Sequence, residues 1–444
     1  MFALLPCLLA PLAGCGGETP RAAADPPAAE VGLGTPVTVQ PAIAEFYKER
    51  GHRPLWARGS RLGREAAALV GMLRAAETHG LDPAKYGLAD VEGAMAAAAG
   101  GERRAVARAE LLLSRAFAEF ARDVRRVPKA AQLYYVDEEL APAQPSVREV
   151  MDAAAAAPSL GEHLAAVERV NPVYNALREA LNGHRARTGA AHPEERLILA
   201  NMARVRVLPE GGRFVLVDTA GSRLWMFEDG RIAGRMRAVV GKDAMKTPAM
   251  AGFIRYATLN PYWNLPPDLA RVRARRVVKE GPGVLARERL QVLSDWSDAA
   301  RPVGPGAIDW RAVAAGKTDV RMRQLPGGAN VMGKVKFMLP NRLGIYLHDT
   351  PDKSLFGRAD RRLSSGCVRV ADAERLSRWL FAGREVKPRG SAPEQRVDLP
   401  EPVPVFITQL TALPGPDGIV IQKDGYGRDA PLLAELAAKA SRKL

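Results

Sequence analysis

The first half of the chain carries apolar residues at the spacing of amphipathic helices. Within residues 64–77, Leu69, Met72 and Leu73 recur on one helical face, and residues 104–122 form a second Ala-rich segment of this kind. Because this helical spacing of apolar residues is the main pattern before residue 187, residues 37–187 are predicted to be mostly helical. The pattern therefore indicates a helical scaffold.

A charged run that contains glycine follows this helical half. Residues 183–195 are interpreted as a linker, and residues 194–204 are predicted to form a helix that leads into the rest of the chain. The helical domain is therefore expected to extend over residues 37–200.

From about residue 213 the pattern changes to that of strands. Residues 213–218 and 222–227 are β-like and flank Thr219-Ala220-Gly221, which is typical of a hairpin turn. Further strands are predicted at residues 232–240, 333–339, 344–347, 403–409 and 418–422, with one helix at residues 371–381. Residues 201–444 are thus expected to form a β-rich domain.

Pro266-Pro267 opens an insertion into this β-rich half. The insertion is predicted to be helical to about residue 293, and several Gly and Pro residues favour a loop from there to about residue 330. The expected fold class is therefore α+β, with an insertion at about residues 267–330.

The chain begins with apolar residues that run into Leu12-Ala13-Gly14-Cys15, which resembles the lipobox of bacterial lipoproteins. This resemblance implies a signal peptide over residues 1–14, a lipidated Cys15, a flexible linker over residues 15–36 and a periplasmic protein anchored to the outer membrane. The alternative is a chance apolar start, since no basic residue precedes the apolar run. No later segment offers eighteen uninterrupted apolar residues.

The chain is strongly basic. Its formal net charge is +15, which favours acidic partners such as nucleic acid, anionic lipid or the cell-wall polymer murein. The Arg residues are spread along the chain and form no nucleic-acid-binding motif, so nucleic acid is not expected as a partner.

Cysteine usage narrows the chemistry. Of the three cysteines, Cys7 and Cys15 lie in the export segment, and Cys367 is left alone in the body. A lone thiol can form neither an internal disulfide nor a multi-thiolate metal site, so Cys367 is either a buried apolar residue or a nucleophile. Only one histidine, His348, accompanies it in the β-rich half.

The segment Ser364-Ser365-Gly366-Cys367 is predicted to turn sharply and expose the sulfur. The backbone N–H groups of Gly366 and Cys367 could then point at a developing oxyanion. A thiol becomes an efficient nucleophile when an imidazole accepts its proton, so Cys367 and His348 are the smallest set that suits acyl transfer.

His348, a spacer and then Ser364-Ser365-Gly366-Cys367-Val368-Arg369 resemble the signature of the YkuD-type L,D-transpeptidases. Flanking runs agree with it: Asn260-Pro261-Tyr262-Trp263-Asn264, Lys334-Val335-Lys336-Phe337 and Tyr346-Leu347-His348-Asp349-Thr350. Together with the scaffold, they resemble the large, multi-domain branch. This sequence has Ser365 where the family commonly has His, and it lacks an evident peptidoglycan-binding module.

The resemblance implies a role for each matching position. Cys367 is the acylated nucleophile, His348 is its base, the Asp349 carbonyl orients the imidazole, and Gly366 serves the oxyanion hole. The residues implied to line the site or meet substrate are Tyr346, Ser364, Ser365, Arg369, Trp263 and Asn264. No metal or organic cofactor is implied.

The implied activity is cross-linking of peptidoglycan stem peptides through a thioester, with release of D-Ala. The insertion resembles the capping subdomain of this branch. Two alternatives stay open: an L,D-carboxypeptidase or hydrolase with the same two residues, and a catalytically silent scaffold that binds murein.

Overall fold

The computed structural model of the protein describes residues 40–189, 192–415 and 418–441. The predicted signal peptide, lipidated Cys15 and linker lie outside these residues. Within the described part of the chain, no helix combines the length and the apolar character that a membrane crossing needs.

The first half consists of helices joined by short turns. In chain order its elements are α1 (Pro41–Glu49), β1 (Ala57–Arg58), β2 (Arg61–Leu62), α2 (Arg64–Arg74), α3 (Leu88–Ala98), α4 (Arg103–Arg125), β3 (Tyr134–Tyr135), α5 (Val147–Ala156), α6 (Leu160–Glu168), α7 (Pro172–Thr188) and α8 (Pro193–Val205). The residues predicted to form the apolar face of α2, among them Leu69 and Leu73, are buried. The predicted helical scaffold is therefore confirmed.

The linker predicted at residues 183–195 is wrong in part. Helix α7 continues to Thr188, and α8 already begins at Pro193. The continuation has a packing reason, since Leu181 and His184 are both buried on α7. Pro193 occupies the first position of α8, where the missing N–H costs nothing.

The second half is built around one large sheet. Its first four strands are β4 (Arg213–Asp218), β5 (Arg223–Glu228), β6 (Arg231–Gly241) and β7 (Met250–Leu259). Hairpin turns precede β5 and β6, because Thr219-Ala220-Gly221 and Glu228-Asp229-Gly230 supply turn residues between alternating runs. The first of these hairpins is the one that the sequence predicts.

An insertion follows β7 and forms its own small layer. Its elements are β8 (Trp263–Asn264), α9 (Pro267–Glu280), α10 (Gly283–Arg287), β9 (Leu290–Leu293), β10 (Pro302–Val303), α11 (Trp310–Ala314) and β11 (Arg321–Gln324). The predicted helix is confirmed over α9 and α10, but its expected extension to about residue 293 is wrong, because Leu290–Leu293 forms β9. The loop predicted from there to about residue 330 is wrong in part. It contains α11 and two strands of a four-stranded sheet in the order β10-β9-β11-β8.

The chain then returns to the large sheet. The remaining elements are β12 (Val335–Met338), β13 (Leu347–His348), β14 (Arg362–Ser364), β15 (Val368–Val370), α12 (Ala373–Leu380), β16 (Gln395–Thr408), β17 (Ala412–Gly415), β18 (Gly418–Ile421) and α13 (Asp429–Ser441). The sheet runs β12-β13-β15-β6-β5-β4-β16-β7, and β12 also pairs with β7. These pairings close the sheet into a barrel, and β3 of the helical half extends it beside β7.

Strand β4 shows how the two halves are joined. Val215 and Val217 point into the barrel core, whereas Phe214 and Leu216 lie in one apolar cluster with the helices of the first half. Successive residues of a strand face opposite sides, so an uninterrupted apolar strand is buried on both faces. The α+β fold, a helical half followed by a β-rich half, is thereby confirmed.

Candidate active site

Two neighbouring strands bring the predicted catalytic residues to one face of the barrel. Strand β13 pairs in parallel with β15, with Leu347 opposite Val368 and His348 opposite Arg369. Leu347 and Val368 are fully buried in the barrel core. Side chains alternate along a strand, so Tyr346 and His348 share the other face with Cys367 and Arg369.

The turn before Cys367 depends on a glycine. Gly366 has a φ of +115°, and a Cβ at this position would come within 3.3 Å of the Ile345 side chain. Its carbonyl accepts a hydrogen bond of 2.7 Å from Thr247 Oγ1, and Thr247 in turn accepts one of 2.8 Å from the Gly241 N–H. The sharp turn predicted from the sequence is thus fixed to β6.

The Ser364 side chain stabilises the same turn through two hydrogen bonds within it. Its hydroxyl donates to the Cys367 carbonyl at 2.6 Å and accepts from the Gly366 N–H at 3.2 Å. The residue is buried and both bonds are local, so Ser364 stabilises the turn, and its predicted contact with substrate stays a prediction. The Gly366 N–H would have to leave Ser364 before it could meet an oxyanion.

The Cys367 thiol is partly exposed and lies among polar groups. Its Sγ donates to the Gly344 carbonyl at 3.4 Å rather than to His348, and the Tyr346 side chain adjoins it. Burial raises the pKa of the Cys367 thiol, so the thiol is protonated in the resting protein. A thiol in this state acts as an efficient nucleophile only when a base takes its proton.

His348 lies on the same face of the paired strands as Cys367 and has the tautomer that a base needs. It is 1% exposed, and its Nδ1 lies 2.5 Å from the Asp349 carbonyl oxygen. A carbonyl only accepts, so Nδ1 carries the proton and Nε2 has a free lone pair. Burial, and then the nearby Arg369 charge, lower the pKa of His348 to about 3, so the ring is neutral at physiological pH.

Asp349 is held from two sides. Its carboxylate accepts a hydrogen bond of 2.9 Å from the Lys334 backbone N–H and one of 2.6 Å from Lys353 Nζ. Gly333 packs so closely against this side chain that a Cβ there would overlap it. The carbonyl that orients His348 therefore belongs to an anchored residue, which is the arrangement that the sequence predicts for Asp349.

A buried lysine that the sequence analysis missed lies beside the histidine. Lys336 on β12 pairs with His348, so Lys336, His348 and Arg369 form one row across three strands. Lys336 is 7% exposed, and its Nζ lies 3.3 Å from the Glu394 carboxylate and 3.5 Å from the Tyr262 carbonyl. The alternation in Lys334-Val335-Lys336-Phe337 is the signal that could have placed it on this face.

Arg369 is the second cation of this row. Its Nε is buried without a hydrogen-bond partner, and burial lowers the pKa of its guanidinium. An unpaired buried N–H donor costs stability, so an acceptor that reaches it gains a strong interaction. The site thus offers a guanidinium whose charge acts on the nearby thiol.

The other predicted residues are placed differently. Ser365 is exposed at the turn. Trp263 packs against the core of the insertion through β8, and Asn264 beside it is exposed. The structure therefore gathers Tyr346, His348, Cys367 and Arg369, and it uses Trp263 in packing.

The arrangement combines a thiol, a neutral imidazole and a cation on one face, which suits nucleophilic attack on a carbonyl. Within the residues that the structure describes, neither Cys367 nor His348 belongs to a group of three metal-ligating side chains.

Two family models match the chain. Residues 41–181 match the Scaffold domain, and residues 212–387 match YkuD, the L,D-transpeptidase catalytic domain. A protein of Haemophilus influenzae, to which the name L,D-transpeptidase is given by inference, is 31% identical over 243 residues, or 53% of this chain and 49% of that protein. The chain thus spans about half the length of the curated relative that it matches.

Solved structures of similar proteins align only loosely. An L,D-transpeptidase from Mycobacterium smegmatis is 12% identical with a TM-score of 0.22, over 45% of this chain and 60% of that one. The catalytic domain from an Enterococcus faecium L,D-transpeptidase is 14% identical with a TM-score of 0.20, over 44% of this chain and 96% of that one.

Proposed function

The chain carries the YkuD L,D-transpeptidase catalytic domain behind a Scaffold domain, and we propose that it cross-links peptidoglycan stem peptides with Cys367 as nucleophile and His348 as base. The observation that supports these roles is the pairing of β13 with β15. It puts His348 beside Arg369, which follows Cys367 by two residues on the neighbouring strand. The one thiol of the described chain and the one histidine of its β-rich half thus share a face.

The proposed first step begins with Cys367 as a neutral thiol and His348 as a neutral imidazole. As Sγ of Cys367 attacks the carbonyl that precedes the terminal D-Ala of a donor tetrapeptide, its proton passes to Nε2 of His348. The imidazolium is stabilised by the Asp349 carbonyl on Nδ1. The C–N bond then breaks, His348 returns the proton to the departing amine, and D-Ala leaves with a thioester on Cys367.

In the second step an amine replaces the thiol. The side-chain amine of a second stem's diaminopimelate attacks the thioester, His348 accepts a proton from it, and Cys367 leaves as the thiol after it regains a proton. The new amide joins the two stems. No redox partner or cofactor is needed for this balance.

The charge of the site supports an anionic peptide as substrate. Arg369 offers a buried unpaired donor beside Cys367, and its planar guanidinium suits a carboxylate of the stem peptide. The net charge of +15 also favours approach to an acidic polymer. Arg369 is therefore proposed to position the donor carboxylate.

A muropeptide assay separates the three possible activities. The purified chain is incubated with tetrapeptide muropeptides, and the products are resolved by mass. Dimers with release of D-Ala support the transpeptidase, tripeptides alone support a carboxypeptidase, and unchanged tetrapeptides with retained murein binding support a silent scaffold.

Three variants test the residue roles in that assay. Cys367→Ser and His348→Gln should each lower dimer formation by at least about a hundredfold, because each removes a group that takes part in the chemical step. Ile232→Ala, at an exposed position on β6, should leave it unchanged. Full activity of Cys367→Ser would refute the proposed nucleophile.

The location is proposed from the first residues alone. Lipidation of Cys15 would hold the enzyme at the outer membrane on the periplasmic side, next to its proposed substrate. Cys15→Ala should move the protein from the membrane fraction to the soluble periplasmic fraction, and an unchanged distribution would contradict the anchor.

A further inference from the structure

Three metal-ligating side chains meet where the helical half passes into the barrel half. His184 lies on α7, His192 is the residue before α8, and Glu194 is in the first turn of α8. Each offers one ligand atom, and the three atoms lie within 4.8 Å of one another. The catalytic proposal uses none of them.

The ligand atoms of this group lie close together without hydrogen bonds between their side chains. His192 Nδ1 accepts a hydrogen bond of 3.4 Å from the Glu194 backbone N–H, which an ion at that nitrogen would replace. Glu194 Oε2 lies 3.9 Å from His184 Nδ1 and 3.9 Å from His192 Nδ1. Ligand atoms around a tetrahedral zinc ion with bonds of about 2.0–2.1 Å are roughly 3.3 Å apart. Small side-chain shifts would therefore bring the three ligand atoms to the spacing that one shared zinc ion requires.

Without a bound ligand, the burial of the His184 imidazole lowers the stability of the protein. It is 5% exposed, and its Nε2 is buried with no hydrogen-bond partner. A buried imidazole normally has its polar atoms satisfied, and a metal ion at Nδ1, the nitrogen that lies 3.9 Å from Glu194, would supply this ring with one partner. The nearest cation on the same helix, Arg185, is already paired with Glu195.

We propose that His184, His192 and Glu194 bind one divalent transition-metal ion, with Zn²⁺ as the best match, and that the ion clamps the end of α7 to the start of α8. Two neutral imidazoles and one carboxylate are a ligand set that zinc accepts, with water in the fourth position. Both helices also pack against the β17–β18 hairpin, so the clamp acts at the junction of the two halves.

The binding is tested on the full chain with its three cysteines changed to serine and without a polyhistidine tag. These changes remove the competing thiol ligands, including Cys367. Isothermal titration with Zn²⁺ at pH 7 should give one ion per chain, and the Tm should rise by about 3 °C at a concentration near 100 times the Kd.

Two ligand variants and one matched control follow. His192→Gln and Glu194→Gln, both at partly exposed positions, should each weaken Zn²⁺ binding at least about tenfold and abolish the rise in Tm, with an unchanged circular dichroism spectrum. His163→Gln on α6 changes a histidine outside the group and should bind as the parent does. Absence of a bound ion in the parent, or equal affinity in all variants, would overturn the proposal.

Discussion

The helical half and the insertion both flank the barrel, yet they are attached to it differently. The helices share one continuous apolar cluster with the outer face of β4, through residues such as Phe214 and Leu216. The insertion has a separate small cluster of its own, which includes Val292 and Met322. The helical half thus shares an apolar cluster with the outer face of β4, whereas the insertion shares none with the barrel.

This difference bears on function. A shared core makes the helical half and the barrel unfold together, whereas a small separate core can open by itself at lower cost. The insertion is joined to the site through Tyr262, whose carbonyl lies 3.5 Å from Lys336 Nζ. The insertion therefore contacts the row of Lys336, His348 and Arg369 through this residue.

The strongest way to break the comparison is to remove the shared core. Phe214→Ala should lower the free energy of unfolding by about 3–5 kcal/mol, because it deletes a fully buried ring between the helices and β4. Chemical denaturation followed by circular dichroism measures the loss. The exposed Ile232→Ala should change it by less than about 0.5 kcal/mol, and equal effects would contradict a shared core.

The corresponding change in the insertion should act locally. Met322→Ala should destabilise the insertion by about 2–5 kcal/mol, because Met322 is fully buried in its separate core. Hydrogen exchange of residues 263–324 should accelerate while the midpoint of barrel unfolding stays constant. Trp296→Ala, at an exposed position, should change neither. A lower barrel midpoint in Met322→Ala would mean that the two cores are coupled.

Acid should distinguish the regions further. The pKa of His348 is lowered to about 3 from its usual 6.5, so below pH 6.5 the unfolded chain binds a proton that the folded chain does not. Stability should then fall as the pH drops from 6.5 towards 3, by about 2 kcal/mol at pH 5 from this residue. His348→Gln should flatten that slope.

The insertion contains no histidine over residues 267–330. Its exchange protection should therefore depend less on pH between 7 and 5 than that of the barrel. A steeper loss of protection in the insertion would contradict this distinction.

The smallest expected effect concerns the cation beside His348. Lys336→Met should raise the apparent pKa for alkylation of the Cys367 thiol by less than about one unit, because a nearby positive charge favours the thiolate. The rate of iodoacetamide labelling against pH measures the shift. Lys334→Met, whose ammonium is exposed and paired with Glu374, is the matched control. An unchanged profile in both would exclude an electrostatic role for Lys336.

The sequence predicted the parts of the fold that follow from short-range patterns. The hairpins of β4 to β6 and helix α12 follow from alternation and turn residues that lie within a few positions of each other. Closure of the barrel through β12 and β7 depends on pairing between segments nearly eighty residues apart, and no local pattern encodes it. The strands of the insertion were missed because each has only two to four residues.

The residues of the candidate site divide in the same way, into those that the local sequence indicates and those whose placement depends on distant parts of the chain. Cys367 and His348 are candidates because their residue types are rare in the β-rich half, and Asp349 is one because it adjoins His348. Lys336 was missed because a lysine in a strand is usually solvated, and its burial depends on Glu394, far along the chain. Ser364 was placed in the substrate site because a short polar side chain next to a nucleophile gives no sign of which way it points.

The most direct test of the central claim is the mass of the intact protein after brief incubation with a tetrapeptide donor and no acceptor. We expect one adduct per chain, with the mass of the donor less that of D-Ala, located on Cys367 by peptide mapping and absent from Cys367→Ser. An adduct that persists in Cys367→Ser, or D-Ala release by the parent without any acyl-enzyme on Cys367, would contradict the account.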